Sequence, residues 1–308
     1  MAKKFLGIQI GEYRIICVEA RVSGGVIVNK IATAPLMENS VVNGIIAQPE
    51  NITEILQSTI TKMEVTTDDA IINIPSNLAQ IKCIPTEQDY LNLTEDQLEW
   101  ELSHHLNEPI ENLNISHFVL PSTTVLVAAK KEPLMKRAEI AEKVGLNVVS
   151  LDPEPIAMFN LFSVIEGAKP KRNLIIANIE IPYSYLIIFA KGEFWNGPAF
   201  FTPPEIFGIG EGKRTWREFT DDIIAAFDMI IHSYQRFNPA FNLDGVIFSG
   251  RKLKEDIEQT ISSHFNADII DFEKILKRKT KLKSKRANIE PSEAAISIGL
   301  AAHGQAFL

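Results

Sequence analysis

The chain has only two cysteines, Cys17 and Cys83, in 308 residues. They stand far apart in segments that read as strands, which argues against a disulfide framework or a zinc cluster and leaves both as small core hydrophobes. Long hydrophobic runs are also missing. No stretch approaches the ~20 apolar residues of a membrane span, and the apolar start after Lys3 and Lys4 is broken by Gln9, Glu12 and Arg14 before a signal-peptide core can form. A cytoplasmic location is expected. Positive charge is in deficit as well, with a formal net charge of -8. Neutralising a phosphate backbone requires a basic face, so nucleic acid is not the expected main partner. No Ser-His-Asp, Cys-His or paired-carboxylate arrangement stands out. His104 and His105 are adjacent on a predicted helix, about 100° apart, and with Glu101 they read as a solvated face. No catalytic residue and no metal ligand set is assigned.

What the chain does have is the composition of an ordinary globular protein, 45% hydrophobic and 23% charged. Its length exceeds a single typical core, so two lobes or several subdomains are expected. The most informative pattern is a pair of matching segments, residues 5–20 and 174–190. Each enters on an apolar run, breaks at a polar corner (Gln9-Ile10-Gly11 and Asn178-Ile179-Glu180) and resumes with β-branched and aromatic residues. Two strand-turn-strand units half a chain apart suggest a duplicated fold with a cleft between the halves.

Between them the periodicity predicts a meander through residue 34, a helix after Pro49 carrying Ile52, Leu56 and Ile60, and a buried strand at 70–74 closed by Pro75. From about Asn77 a compact insert of its own is expected, ordered strand, helix, strand, strand, helix, strand. Its first helix opens on the capping box Thr94-Glu95-Asp96-Gln97. Leu98 and Trp100 cannot share one face of that helix, and an outward Trp100 would suit a partner peptide. Residues 167–172 read as the link between lobes. A helix from Thr220 carries the apolar stripe Ile223, Phe227, Ile230 and Tyr234. Residues 274–286 hold eight basic residues and no acidic one: Lys274, Lys277, Arg278, Lys279, Lys281, Lys283, Lys285 and Arg286. They read either as a solvated loop or as a patch for anionic lipid head groups or an acidic partner.

Several local patterns occur in one order: Phe5-Leu6-Gly7-Ile8-Gln9-Ile10-Gly11, Gly44-Ile45-Ile46 to Leu56, Ile74-Pro75-Ser76, Val127-Ala128-Ala129-Lys130-Lys131-Glu132, Gly145-Leu146 to Asp152-Pro153-Glu154-Pro155, Phe248-Ser249-Gly250, and Ala295 to Leu300. In that order the chain, end to end, resembles the PilM family of type IV pilus assembly proteins, which is similar to the cell-division protein FtsA. The resemblance implies an α/β fold, two-lobed and actin/Hsp70-like (ribonuclease H-like), with an FtsA/PilM-type inserted subdomain. The expected division is a first lobe at 1–76, rejoined by 151–168 and 291–308, an insert at 77–150, and a second lobe at 169–290. The resemblance further implies a scaffold, peripheral to the inner membrane, that holds the short cytoplasmic tail of a PilN-like membrane partner alongside other pilus assembly components. The tail would add as a strand, or lie extended, around Ile74 to Ile84 and Asn112 to Lys130.

Actin-like ATPases hold ATP with magnesium between the lobes, and the resembling families read Asp-Ile-Gly at each phosphate loop. Here Gln9 and Asn178 replace the acidic anchors of the hydrated cation. Glu180 stands where a glycine lets the backbone approach the phosphates, and Arg251 follows Ser249-Gly250 where a second glycine is usual. The resemblance thus implies a degenerate cleft, with Gly11, Glu12, Tyr13, Asn178, Ser249, Gly250 and Arg251 as the residues that would still meet a nucleotide. In the alternative, a working ATPase, Gly11, Glu12 and Tyr13 supply backbone donors and Arg251 contacts phosphate or stacks on adenine. An FtsA-like filament former is disfavoured because the chain ends at Leu308, soon after Ala302, without an amphipathic tail.

Overall fold

A computed structural model describes residues 3–86, 94, 96–97, 100, 103–106, 109–166, 172–282 and 289–302. The predicted meander forms as β1 (Lys4–Ile10), β2 (Arg14–Val22) and β3 (Val26–Pro35), followed by a short hairpin of β4 (Val41–Val42) and β5 (Ile45–Ile46). Helix α1 (Pro49–Met63) starts on a proline, whose missing N–H is unpaired in a first turn anyway, and lays Ile52, Leu56, Ile60 and Met63 on the sheet. Next come β6 (Asp69–Ile74), β7 (Ala79–Pro85), β8 (Leu113–Val119), β9 (Thr123–Lys130), α2 (Lys131–Lys143), β10 (Asn147–Pro153) and α3 (Glu154–Glu166). The second half comprises β11 (Leu174–Ile179), β12 (Tyr183–Ala190), β13 (Glu193–Asn196), β14 (Phe200–Phe201), α4 (Trp216–Phe237), β15 (Gly245–Gly250) and α5 (Glu255–Phe265). It closes with β16 (Asp268–Ile269), α6 (Phe272–Lys279), β17 (Thr280–Leu282) and α7 (Ala295–Ala301).

The duplication extends beyond the two matching segments. One sheet runs β3-β2-β1-β6-β10 and the other β13-β12-β11-β15-β16, so each half places its strands in the order third, second, first, fourth, fifth. In each, the first strand forms an antiparallel hairpin with the second and pairs in parallel with the fourth. Alternation along the strands decides what lies on each face. Ile15 and Cys17 turn toward α1 and α2, whereas Ile16, Val18 and Ala20 turn toward α3 and α7. Ile176, Tyr185, Ile187 and Phe189 of the second sheet meet the same two helices, and its opposite face carries α4 and α5. The result is five layers with α3 and α7 sandwiched between the sheets. A Cβ on Gly299 of α7 would stand 2.0 Å from the carbonyl oxygen of Ala157 in α3, so only glycine lets those helices approach so closely.

The insert is smaller than expected. Its own sheet is β7-β9-β8, whereas α2 packs beside α1 and β10 pairs in parallel with β6, with Leu151 opposite Ile72. The boundary expected at 150 therefore falls near 130 in the sheet pairing. An apolar strand next to a helix fits either lobe by pattern, and the parallel register with β6 decides it. The second lobe likewise gives up its end, because β17 adds to β3 of the first sheet, Lys281 opposite Ile27. Helix α4 starts at Trp216, four residues before the expected Thr220, because Thr215 and Glu218 form a reciprocal capping box. The predicted box of Thr94 and Gln97 is also made, while Leu98, Glu101, Leu102 and most of the expected interlobe link lie outside the described residues.

Candidate functional site

Parallel strands that end together leave a crevice beyond their carboxyl ends. Here β1, β11 and β15 end at Ile10, Ile179 and Gly250, and the three corners that follow face one another between the lobes. The predicted site residues lie at these corners, yet several of their donors are committed within the chain. The Gly11 N–H donates to the Arg14 carbonyl at 3.0 Å, which closes the first corner. Glu12 accepts from the N–H groups of Asn43 and Gly44 at 3.3 and 3.4 Å. Burial raises its carboxyl pKa, and those two donors oppose the rise. Tyr13 adjoins Arg14 and accepts from the Leu36 N–H. Asn178 lies opposite Ser249, whose hydroxyl donates to the Asn178 Oδ1 at 2.9 Å. Gly250 has φ +78°, and a Cβ there would meet the Ile179 carbonyl oxygen at 2.3 Å. The next N–H, of Arg251, donates to that same oxygen at 2.7 Å. Gly250 is thus required by the strand pairing itself.

At the centre stands Glu180. Arg14, the first residue of β2, reaches across from the first lobe and places Nη2 3.3 Å from Glu180 Oε1, while its Nη1 donates to Glu293 Oε2 at 2.6 Å. Glu293 belongs to the turn that leads into α7. From the other side Arg251 brings Nε to 3.7 Å from Glu180 Oε2 and lays its guanidinium over the Phe207 ring, 5.6 Å from the centroid. Burial works against the charge on Arg14, but Glu180 and Glu293 outweigh it and its pKa is raised. The corner after Glu180 contains a cis Ile181–Pro182 peptide.

Beneath the cleft lies a polar network that sequence reasoning missed. Arg137 of α2 is 1% exposed and donates to the carbonyls of Gly44 (2.8 Å) and Ile10 (3.4 Å) and to Asn73 Oδ1 (3.2 Å). The same Asn73 oxygen accepts the Ile10 N–H, and its amide donates to Glu154 at 2.8 Å. Burial, with help from the charge of Glu180, pushes the Glu154 carboxyl up to about 7 against the donors Asn73 and Ser76. The Tyr185 hydroxyl, raised far above its ordinary value, is buried without a partner nearby. Glu154 stands inside Asp152-Pro153-Glu154-Pro155, so a carboxylate opening a helix was the available signal.

Two amides stand where a magnesium nucleotide would call for charge. Gln9 Oε1 and Asn178 Nδ2 are buried and unpaired, and neither amide supplies the charge that a hydrated cation requires. Polyphosphate would enter beside Glu12, Glu154 and Glu180, Arg14 and Arg251 already face Glu180 and Glu293, and Arg137 is held by backbone carbonyls and Asn73. Among the described residues no cluster of three His, Cys, Asp or Glu has a metal-holding arrangement.

Other features lie elsewhere. Trp100 is 61% exposed, edge-on to His104. Lys274, Lys277, Arg278, Lys279 and Lys281 are exposed on α6 and β17, and Lys283, Lys285 and Arg286 lie outside the described residues. A groove of about 600 Å³ runs between the insert and the first turns of α2, lined by Asn112, Lys130, Lys131 and Met135 among others. No described helix is long and apolar enough to cross a membrane.

Against known proteins, a family model described as type IV pilus assembly protein PilM matches residues 7–189. The structure aligns with that of a PilM-PilN type IV pilus biogenesis complex at a TM-score of 0.73 and 16% identity, covering 98% of each chain. It also aligns with a Bacteroides thetaiotaomicron protein of actin-like ATPase fold and unknown function, at 0.53 and 12%, covering 97% of this chain and 96% of that one. Among curated proteins nothing matches. The two structural likenesses show the actin-like fold, and the family model spans more than half of the sequence. The chain belongs to the PilM family of type IV pilus assembly proteins.

Proposed function

We propose that this protein is a scaffold of type IV pilus assembly that works by binding, taking the short cytoplasmic tail of a PilN-like inner-membrane protein, with its interlobe cleft kept as architecture. The observation that carries this reading is the state of the cleft: its arginines face the chain's own carboxylates, and amides stand where a cation would need charge. The working-ATPase alternative has no comparable support. The tail is best accommodated at the insert. In the order β7-β9-β8 no strand among the described residues pairs with the outer edge of β8, and an extended peptide can add there by main-chain hydrogen bonds. The neighbouring groove offers the exposed side chain of Met135 for an apolar residue, within a mixed lining of Lys130, Lys131 and Lys136 with Glu132 and Glu139. Membrane association would come through this partner. The basic face of α6 is a second candidate contact with anionic head groups, since Phe272, Ile275 and Leu276 anchor the helix and leave its cations outward, each worth ~1 kcal/mol near such a surface.

The test is fluorescence anisotropy of a labelled synthetic peptide carrying the cytoplasmic N-terminus of the PilN-like protein from the same operon. Saturable binding that Met135→Glu weakens is the expected result. A folded protein that does not bind the peptide would overturn the reading.

A further inference from the structure

Glu180 has neighbours that an incoming oxyanion would also choose. Arg14 and Arg251 approach its two oxygens from opposite lobes, and the Ile181 N–H points at Oε2 from 3.4 Å. The contacts to the arginines, 3.3 and 3.7 Å, are longer than the 2.7–2.9 Å of a strong charge-assisted bond. Arg251 Nε is buried with no hydrogen-bond acceptor in reach, so one donor of the group remains unspent. The other charges around this point are Glu293, which shares Arg14, and Glu12 and Glu154, which line the same cleft.

We propose that Arg14, Arg251 and the Ile181 N–H form an oxyanion seat between the lobes and that the Glu180 carboxylate fills it from within. The chain would thereby hold its two lobes together by its own charge. The donors converge from both lobes on one small volume, as recognition of a tetrahedral oxyanion requires. A carboxylate carried on the second lobe satisfies them without a diffusible ligand and excludes one by charge and volume. The proposal rests on the reading of the cleft given above and is independent of where the partner tail binds.

The experiment compares wild type, Glu180→Ala, and Glu180→Ala combined with Arg14→Ala. Each is titrated calorimetrically with inorganic phosphate, and small-angle scattering reports lobe separation. Emptying the seat should make phosphate bind about tenfold or more tightly than in wild type, the effect of roughly one charge-assisted hydrogen bond. Glu180→Ala should also be more open than wild type without phosphate and close again with it, and the added Arg14→Ala should abolish both responses. Equal phosphate affinity in all three proteins, or binding that survives loss of Arg14, would overturn the proposal. If Glu180→Ala does not fold, Glu180→Ser, which also empties the seat and keeps a short polar side chain, supports the same comparison. Tail-peptide binding measured on wild type separates the two ideas, since its absence would sink the scaffold reading and leave this one standing.

Discussion

Glu154 makes this protein's stability depend on pH in a direction opposite to the usual one for an acid. Most native carboxylates are stabilised by partners, so their pKa falls on folding and stability is lost in acid. Glu154 is 7% exposed, and its pKa rises from 4.5 to about 7. The folded state therefore holds the proton more tightly than the unfolded state. Below pH 4.5 both states are protonated and the group costs nothing. As pH climbs through the window up to about 7 the unfolded chain ionises first, and stability falls, by on the order of 3 kcal/mol at 1.36 kcal/mol per unit. Above about 7 the loss is complete. Glu154→Gln keeps the oxygen that accepts from Asn73 and removes the charge. Arg137 keeps its three oxygen acceptors, so the substitution leaves no orphaned cation. Urea unfolding at intervals from pH 4.5 to 8.5 should show the two proteins nearly equal at the acid end, with the variant the more stable by a few kcal/mol at pH 8. A wild-type-minus-variant difference that stays flat across the range, or a variant less stable at pH 8, would refute the reasoning.

Two further outcomes test the packing. Phe159 stands between the sheets, with ring centroids 5.2 Å from Phe194, 5.7 Å from Phe189 and 6.1 Å from Phe118. Phe159→Ala should cost about 3–5 kcal/mol in chemical denaturation, because the layered core cannot collapse into the hole. Thr215→Ala should cost about 1 kcal/mol by the same assay, since the Thr215 hydroxyl accepts the Glu218 N–H at the start of α4, and Thr215→Ser should restore most of it.

The fold was legible because its signals are local and repeated. Apolar runs that break at the polar corners Gln9-Ile10-Gly11 and Asn178-Ile179-Glu180 marked both hairpins, and a proline or a capping residue marked helix starts. Sheet membership was not legible in that way. Asn147–Pro153 and Thr280–Leu282 are short segments whose partners are chosen by long-range register, which periodicity does not encode. At the candidate site the substitutions Gln9, Asn178, Glu180 and Arg251 could be read from the sequence because each sits beside a recognisable corner. Arg14 could not, since nothing in Tyr13-Arg14-Ile15 says that its guanidinium crosses to the other lobe. Arg137 was hidden for another reason. A helix from Lys131 to Lys143 with several charges reads as solvated, and only packing against β5 and β6 shows one of those cations to be buried.

Glu180 and Glu154 are linked by charge, and the link gives the two readings of the cleft a common test. The charge of Glu180 is one of the causes that raise the Glu154 pKa. Removing it in Glu180→Ala therefore has two opposed effects on stability. It loses the contacts with Arg14 and Arg251, which are partly exposed and so weak individually. It also lowers the Glu154 pKa toward 4.5, which narrows the pH window over which ionisation of Glu154 destabilises the fold. Near pH 5, close to the ordinary carboxylate range, the relief at Glu154 is small, so the lost contacts dominate and the variant should be the less stable. Toward pH 7 the relief at Glu154 offsets that loss, so the gap should close as pH rises. A screened surface pair would give a gap that does not depend on pH in this range, since it involves no change at Glu154. Unfolding of the two proteins at pH 5 and pH 7 is thus sufficient, and a gap that widens with pH would show that Glu180 does not act on Glu154 across the cleft.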